Sequence, residues 1–82
     1  MSELSRLRWH CRRGMRELDL LLVHFLEHQY CDLEAEQREL FRRLLEYPDD
    51  QLYDWFYQGE RPNDARLSSL VERIRATFFT HD

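Results

Sequence analysis

Apolar residues recur at helical spacing in five stretches of this chain, and no stretch alternates apolar and polar residues as a half-buried strand does. Each such stripe is typical of an amphipathic helix, which must bury one face against a neighbour. The spacing predicts helices over residues 3–12, 15–29, 33–46, 50–57 and 64–79. Connections of two to six residues are those that antiparallel helix bundles use. The 82 residues are therefore predicted to form an all-α fold, a small single-domain bundle of about five short antiparallel helices over residues 1–82.

Helix-ending and helix-capping residues separate these stretches. Ser2 is predicted to cap the first helix, and Gly14 to end it, because glycine adopts the left-handed conformation without a Cβ clash. Asp32 is predicted to cap the third helix, which Pro48 ends. The remaining boundaries are predicted at Asp49 or Asp50, at Gly59 and Pro62, and at Asn63 or Asp64.

The apolar stripes of the five helices are the expected core, with the second helix at its centre. The expected core residues are Leu4, Leu7, Cys11, Met15, Leu18, Leu21, Leu22, Phe25, Leu26, Leu33, Leu40, Phe41, Leu44, Leu45, Leu52, Trp55, Phe56, Leu67, Leu70, Val71, Ile74 and Phe78.

Charge is distributed unevenly along the chain. Residues 1–17 carry five arginines and two glutamates, a net charge of +3, whereas residues 18–64 carry a net charge of −8 and residues 65–82 a net charge of +1. A basic end on an acidic body favours docking to a protein surface over binding a nucleic acid, because the acidic surface repels the phosphate groups of the nucleic acid.

The chain lacks the signs of a membrane or secreted protein. Its longest apolar run covers residues 20–23, far short of the roughly 18 residues of a membrane span. The N-terminal residues contain no apolar core of a secretory signal. A cytoplasmic protein is expected, and in that reducing compartment Cys11 and Cys31 are expected to be free thiols.

Residues 9–19 read Trp-His-Cys-Arg-Arg-Gly-Met-Arg-Glu-Leu-Asp and contain the pattern Arg13-Gly14-x-x-Glu17. With Trp9 upstream and Leu-Asp downstream, this string resembles the signature of the SdhE family, small helical assembly factors for the flavoprotein subunit of succinate dehydrogenase. The resemblance extends to Leu44, Leu45, Glu46, Leu52, Trp55, Phe56, Gly59, Pro62 and Asp64, and so covers nearly the whole chain.

The resemblance implies a protein that is not itself an enzyme. It implies binding to the flavoprotein subunit of succinate dehydrogenase, with that of fumarate reductase as a second candidate, and covalent attachment of FAD to a histidine of that partner. FAD then belongs to the partner, and the free factor is expected to be a monomer. The resemblance further implies that Arg13, Gly14 and Glu17 form the functional surface. Neighbours that widen it are Arg12, Arg16, His10 and Trp9.

A tight turn at Gly14 is expected to hold Arg13 and Glu17 on adjacent rims of one exposed corner, with a bare patch where a partner's backbone can approach. Two alternatives stay open. In the first, Arg13 and Glu17 only pair with each other, as a surface ion pair worth ~0.5 kcal/mol. In the second, Trp9 packs on the next helix and does not extend the functional surface.

Other candidate sites have weaker support. His24, His28 and Cys31 have the spacing of zinc ligands but no evident fourth ligand, so chance placement on a solvated face is favoured. His10 and Cys11 are adjacent in a helix and do not face each other, which makes a catalytic dyad geometrically poor. The aromatic group in the fourth helix is expected to be core and not a flavin-stacking cluster; it comprises Tyr53, Trp55, Phe56 and Tyr57.

Two other functions compete with the assembly factor. One is an antitoxin-like regulatory binding protein. The other is a helix-turn-helix nucleic-acid binder that uses the basic residues 6–16, although the following helix offers only Arg16 for phosphate.

Overall fold

The structure describes residues 2–79 of the chain. These residues contain five α-helices and one short 3₁₀ turn, and no strand. In this computed structural model the helices are α1 (Glu3–Cys11), α2 (Arg16–His28), α3 (Ala35–Leu44), α4 (Asp49–Tyr57) and α5 (Ala65–Phe79), with the 3₁₀ turn at Tyr30–Asp32. The predicted all-α fold of five helices is confirmed. A single domain over residues 1–82 stays a prediction, since residues 1 and 80–82 lie outside the described part.

The buried side chains form one apolar core with α2 at its centre. α2 contacts α1, the 3₁₀ turn, α4 and α5, and α3 packs on α5. Nearly all the predicted core residues are buried, but Met15 and Phe78 are only partly so. Leu4 is 39% exposed, and its prediction is wrong because α1 packs through its C-terminal half, at Leu7 and Cys11. No helix within residues 2–79 combines the length and the apolar character that crossing a bilayer requires.

The end of α1 differs from the prediction in detail. Ser2 Oγ accepts a hydrogen bond from the N–H of Ser5 at 3.2 Å, so the predicted cap is confirmed. Gly14 has the predicted positive φ, +84°, but α1 already ends at Cys11. The N–H of Arg13 donates to Asp19 Oδ1 at 2.6 Å, in the next helix, and not to a carbonyl of α1. A hydrogen bond to Asp19 of α2 therefore closes the turn. The cap of α1 is Arg12, so Gly14 lies one residue beyond the position directly after the cap, where a helix-ending glycine usually stands.

α3 is shorter than predicted at both ends. Asp32 lies in the 3₁₀ turn and caps nothing, whereas Leu33 is buried in an extended conformation and Glu34 precedes the helix. Leu33 fits a helical stripe in sequence but reaches the core from outside the helix. At the other end the N–H groups of Glu46 and Tyr47 bond back three residues, which tightens the chain before Pro48.

The last two helices begin close to the predicted positions. α4 starts at Asp49, after Pro48 in an extended conformation. Asp64 Oδ1 accepts from the N–H groups of Arg66 at 2.8 Å and Leu67 at 3.3 Å, so its role as the cap of α5 is confirmed. These two hydrogen bonds stabilise the carboxylate and lower the pKa of Asp64.

Candidate partner-binding site

The turn between α1 and α2 forms an exposed corner, residues 12–17, termed here the Gly14 corner. Apart from its chain neighbours, nothing lies within 4 Å of the position that a Cβ on Gly14 would take. The φ of +84° strains any residue that carries a Cβ, and the open space means that this strain is in the backbone alone. The corner therefore presents bare backbone to a molecule that approaches it.

Arg13 does not lie on an exposed rim of this corner, contrary to the prediction. Its side chain is only 15% exposed, and its Nε donates to Asp49 Oδ1 at 2.7 Å. Its Nη1 donates to the carbonyl oxygens of Leu45 at 2.6 Å and His10 at 3.2 Å, and its Nη2 donates to that of Tyr47 at 2.6 Å. The guanidinium thus joins the α1–α2 turn to the connection between α3 and α4. Its assignment to partner binding stays a prediction.

Glu17 and Arg16 are exposed in the first turn of α2, where the helix dipole favours the carboxylate. The carbonyl oxygen of Glu17 accepts from the Tyr57 hydroxyl at 2.8 Å, which ties this turn to α4. The Glu17 carboxylate has no hydrogen bond or ion pair within residues 2–79, and the alternative pair with Arg13 is not formed. Its carboxylate is therefore available to a partner.

The other predicted site residues line an open groove of about 900 Å³ beside the corner, termed here the α1 groove. Trp9, His10 and Arg12 lie along one side, and Leu45, Glu46 and Asp49 lie on the side formed by α3 and α4; the remaining lining residues are Glu3, Arg6, Leu7, Arg13 and Arg42. Trp9 is 67% exposed, so the alternative that it packs on the next helix is wrong. The structure thus places Trp9, His10, Arg12 and Arg13 around the groove, and Gly14, Arg16 and Glu17 outside it.

Arginines without a side-chain partner are concentrated in α1 and the Gly14 corner. Eight of the twelve arginines have a side-chain hydrogen bond or ion pair in the described part of the chain. The other four, for which residues 2–79 offer no such partner, are Arg6, Arg12, Arg16 and Arg43. Three of these four lie in α1, in the corner or at the start of α2. Uncompensated guanidinium groups beside an exposed tryptophan are typical of a protein-binding surface.

Sequence reasoning missed the two carboxylates that hold Arg13. Asp19 receives the backbone N–H and Asp49 receives the side chain. Asp19 lies inside the quoted motif, six positions after Arg13, and that spacing was the available signal. Asp49 is 36 positions away and reads only as the start of a helix, so no local pattern could identify it.

A comparison with known protein families matches residues 5–78 to the Sdh5 family, described as flavinators of succinate dehydrogenase. The chain belongs to this family.

Curated relatives agree with this assignment. The FAD assembly factor SdhE of Pseudomonas aeruginosa is 49% identical over 73 residues, which cover 89% of this chain and 87% of the relative. The protein of the same name from Coxiella burnetii is 39% identical over 71 residues, 87% of each chain. The resemblance that residues 9–19 suggested is therefore confirmed over most of the sequence.

Of the candidate zinc ligands of this Sdh5-family member, the two histidines contact each other. The rings of His24 and His28 stack with centroids 4.3 Å apart, and His28 Nδ1 lies 3.0 Å from the carbonyl oxygen of His24. Cys31 is exposed. No group of three or more metal-ligating side chains is found in residues 2–79.

The aromatic residues of α4 divide into two pairs in this family member. Trp55 and Phe56 are buried in the core, as predicted. Tyr53 and Tyr57 are only partly buried and stack on each other with centroids 5.1 Å apart. The expectation that all four are core is therefore wrong for Tyr53, whereas Tyr57 packs against the edge of the core.

The two cysteines are free and differ in environment. Cys11 is fully buried at the C-terminal end of α1, and this burial raises the pKa of its thiol to about 12, although the nearby Arg13 charge acts in the opposite direction. A thiol with so high a pKa is not a nucleophile at neutral pH. Cys11 is therefore a packing residue of the core.

Proposed function

We propose that this protein binds the flavoprotein subunit of succinate dehydrogenase and promotes the covalent attachment of FAD to it. The observation that carries this proposal is the family match over residues 5–78, together with relatives of 39–49% identity that are named FAD assembly factors. The match includes the whole Gly14 corner and the whole α1 groove except for Glu3.

The partner binds, in this proposal, at the Gly14 corner and the adjoining α1 groove. The bare backbone at Gly14 permits close approach, and the free carboxylate of Glu17 can accept hydrogen bonds from partner N–H groups. Arg12 and Arg16 supply unpaired positive charge, and Trp9 supplies an exposed aromatic surface. Large aromatic and arginine side chains at the centre of an interface contribute most of its binding energy.

The reacting groups belong to the partner, so this chain supplies no catalytic residue. Attachment would join a methyl carbon of the flavin to an imidazole nitrogen of the partner. The methyl group and the imidazole would each lose a proton, and the flavin would keep the electron pair of the broken carbon–hydrogen bond, take up the two protons and be left in its two-electron-reduced form. A bound factor accelerates such a step when it holds the partner's mobile parts in the reactive arrangement, an effect worth up to several kcal/mol. It can also do so by placing charge near the flavin. A corner fixed by five hydrogen bonds from Arg13 favours the first of these contributions.

Complementation tests this function directly. A bacterial strain that lacks its own assembly factor is supplied with this protein, and the denatured flavoprotein subunit is examined by in-gel flavin fluorescence, which detects only covalent FAD. We expect fluorescence to return, and the tagged protein to co-purify with that subunit. A folded, expressed protein that restores no covalent flavin and instead co-purifies with nucleic acid or with a membrane toxin would refute the proposal.

A further inference from the structure

One guanidinium connects three separate parts of the fold. Leu45 is the C-terminal cap of α3, and its carbonyl oxygen is among those that a helix leaves without an internal partner. Asp49 is the first residue of α4. Arg13 bonds both of them and the carbonyl oxygen of Tyr47, at 2.6–2.7 Å. A cation at the C-terminus of α3 and a carboxylate at the N-terminus of α4 are each also favoured by the helix dipoles.

Arg13 is fixed by its main chain as well as by its side chain. Its N–H donates to Asp19 Oδ1 at 2.6 Å, and the next residue is Gly14 with its left-handed φ. The conformation of the corner and the position of residues 45–49, termed here the α3–α4 link, are therefore set by the same residue.

Polar contacts hold the two sides of the α1 groove together. α1 packs chiefly on α2. Within residues 2–79, the hydrogen bonds and ion pairs that cross the groove are those of Arg13 with the opposite side and the ion pair of Glu3 with Arg42. A single opening is lined by Arg12 on one side and by Leu45, Glu46 and Asp49 on the other side, with Arg13 between them. The Arg13 contacts therefore set the separation of these walls at the end that adjoins the Gly14 corner.

We propose that Arg13 is a positioning residue that acts through Asp49, and that the α3–α4 link belongs to the same partner-binding surface as the Gly14 corner. This inference rests on the proposed function. Arg13 then contributes by fixing Gly14, Glu17 and the link relative to one another, and not by pairing its charge with the partner. Asp49, which no local pattern marks as functional, is required for the same reason.

The experiment measures the initial rate of covalent FAD attachment with purified flavoprotein subunit, FAD and increasing concentrations of each factor variant. Asp49→Ala leaves the charge of Arg13 and the surface of the corner in place but removes the Nε acceptor. We expect it to lower the rate about tenfold, the effect of losing one charge-assisted hydrogen bond. Asp49→Asn restores most of the rate, because an amide oxygen still accepts from Nε.

Two further variants separate positioning from direct contact. Arg13→Lys keeps the charge but not the planar fork that reaches four acceptors, and we expect it to be as poor as Arg13→Ala. The double variant Arg13→Ala with Asp49→Ala should be no slower than Arg13→Ala alone, because both changes break the same Arg13–Asp49 interaction. Arg61→Ala is the matched control, because it breaks the exposed Arg61–Glu72 pair away from the groove and should leave the rate unchanged.

A second readout does not depend on flavin attachment. The Nε proton of Arg13 should be protected from solvent exchange in NMR spectra of the wild-type protein, and Asp49→Ala but not Arg61→Ala should abolish that protection. Full activity of Asp49→Ala or of Arg13→Lys, or additive losses in the double variant, would overturn the positioning role while leaving the proposed function intact. A wild-type protein that fails to accelerate attachment at all refutes the proposed function and this role with it.

Discussion

Arg13 and Asp49 are 36 positions apart in sequence, yet Nε of the arginine lies 2.7 Å from Oδ1 of the aspartate. The pair is more than a surface contact, because the same guanidinium also bonds the carbonyl oxygens of Leu45 and Tyr47. Arg13, which the sequence alone places on an exposed rim of the corner, therefore belongs to the framework that supports the candidate site.

Arg13→Ala should consequently destabilise the protein. Loss of several charge-assisted hydrogen bonds from a side chain that is mostly buried is expected to lower the free energy of unfolding by about 1.5–3 kcal/mol. Urea denaturation followed by circular dichroism measures the change. Arg12→Ala is the control, because Arg12 is exposed and has no side-chain partner in residues 2–79, and it should stay within about 0.5 kcal/mol of wild type. Equal stability of the two variants would contradict the geometry of Arg13.

The two tryptophans should respond in opposite ways to truncation. Trp55 is 6% exposed and packs against Tyr47 with ring centroids 4.8 Å apart, so Trp55→Ala should cost roughly 3–5 kcal/mol of stability. Trp9 is 67% exposed, and Trp9→Ala should leave the melting temperature nearly unchanged while weakening partner binding. Thermal melting and titration of the purified flavoprotein subunit measure the two effects. A Trp55→Ala protein that melts like wild type would show that Trp55 is not a core residue.

Glu17→Ala should separate function from stability. The Glu17 carboxylate has no partner in residues 2–79, so its removal should change the unfolding free energy by less than about 0.5 kcal/mol. Covalent flavin on the partner, read by in-gel fluorescence, should nevertheless fall. Glu60→Ala, at another exposed glutamate that follows α4 and does not line the α1 groove, is the control and should retain normal flavin levels. Indistinguishable flavin levels for the two variants would remove Glu17 from the site.

Burial should protect one thiol from alkylation. With native protein at pH 7–8, iodoacetamide should modify Cys31, which is exposed, and leave Cys11, whose pKa is raised to about 12 by burial, unmodified. Both should react after denaturation in urea. Mass spectrometry of tryptic peptides gives the two extents, and rapid native alkylation of Cys11 would mean that α1 opens from α2.

Local signals were sufficient to predict the helices and most of the core. Ser2 and Asp64 cap the helices that they precede, and the apolar stripe of α2 is buried as its spacing indicates. The start of α3 differs from its prediction because Leu33 continues the apolar pattern while its backbone is extended. Periodicity reports which side chains are apolar, but it does not report from which backbone conformation they reach the core.

A sequence motif marks the candidate site, but nothing in the sequence indicates how its residues are bonded to the rest of the fold. Residues 9–17 carry a motif, and the corner that Gly14 makes follows from its positive φ. Two of the acceptors that hold Arg13 are main-chain carbonyl oxygens 32 and 34 positions away, and any residue type can supply a carbonyl. No sequence pattern could therefore distinguish an arginine that faces a partner from one that faces the α3–α4 link.

Gly14 and Gly59 provide the most direct test of the central claim, that the Gly14 corner is the surface through which the protein promotes flavin attachment. Their φ angles are +84° and +80°, and neither has an atom within 4 Å of an added Cβ apart from its chain neighbours. Alanine at either position should therefore cost about the same stability, roughly 1 kcal/mol. The measurement is the rate of covalent FAD attachment to the purified flavoprotein subunit in the presence of each variant. We predict that Gly14→Ala slows attachment at least about fivefold through loss of close approach, whereas Gly59→Ala matches wild type. Equal rates for Gly14→Ala, Gly59→Ala and wild type, with both variants folded, would contradict the account.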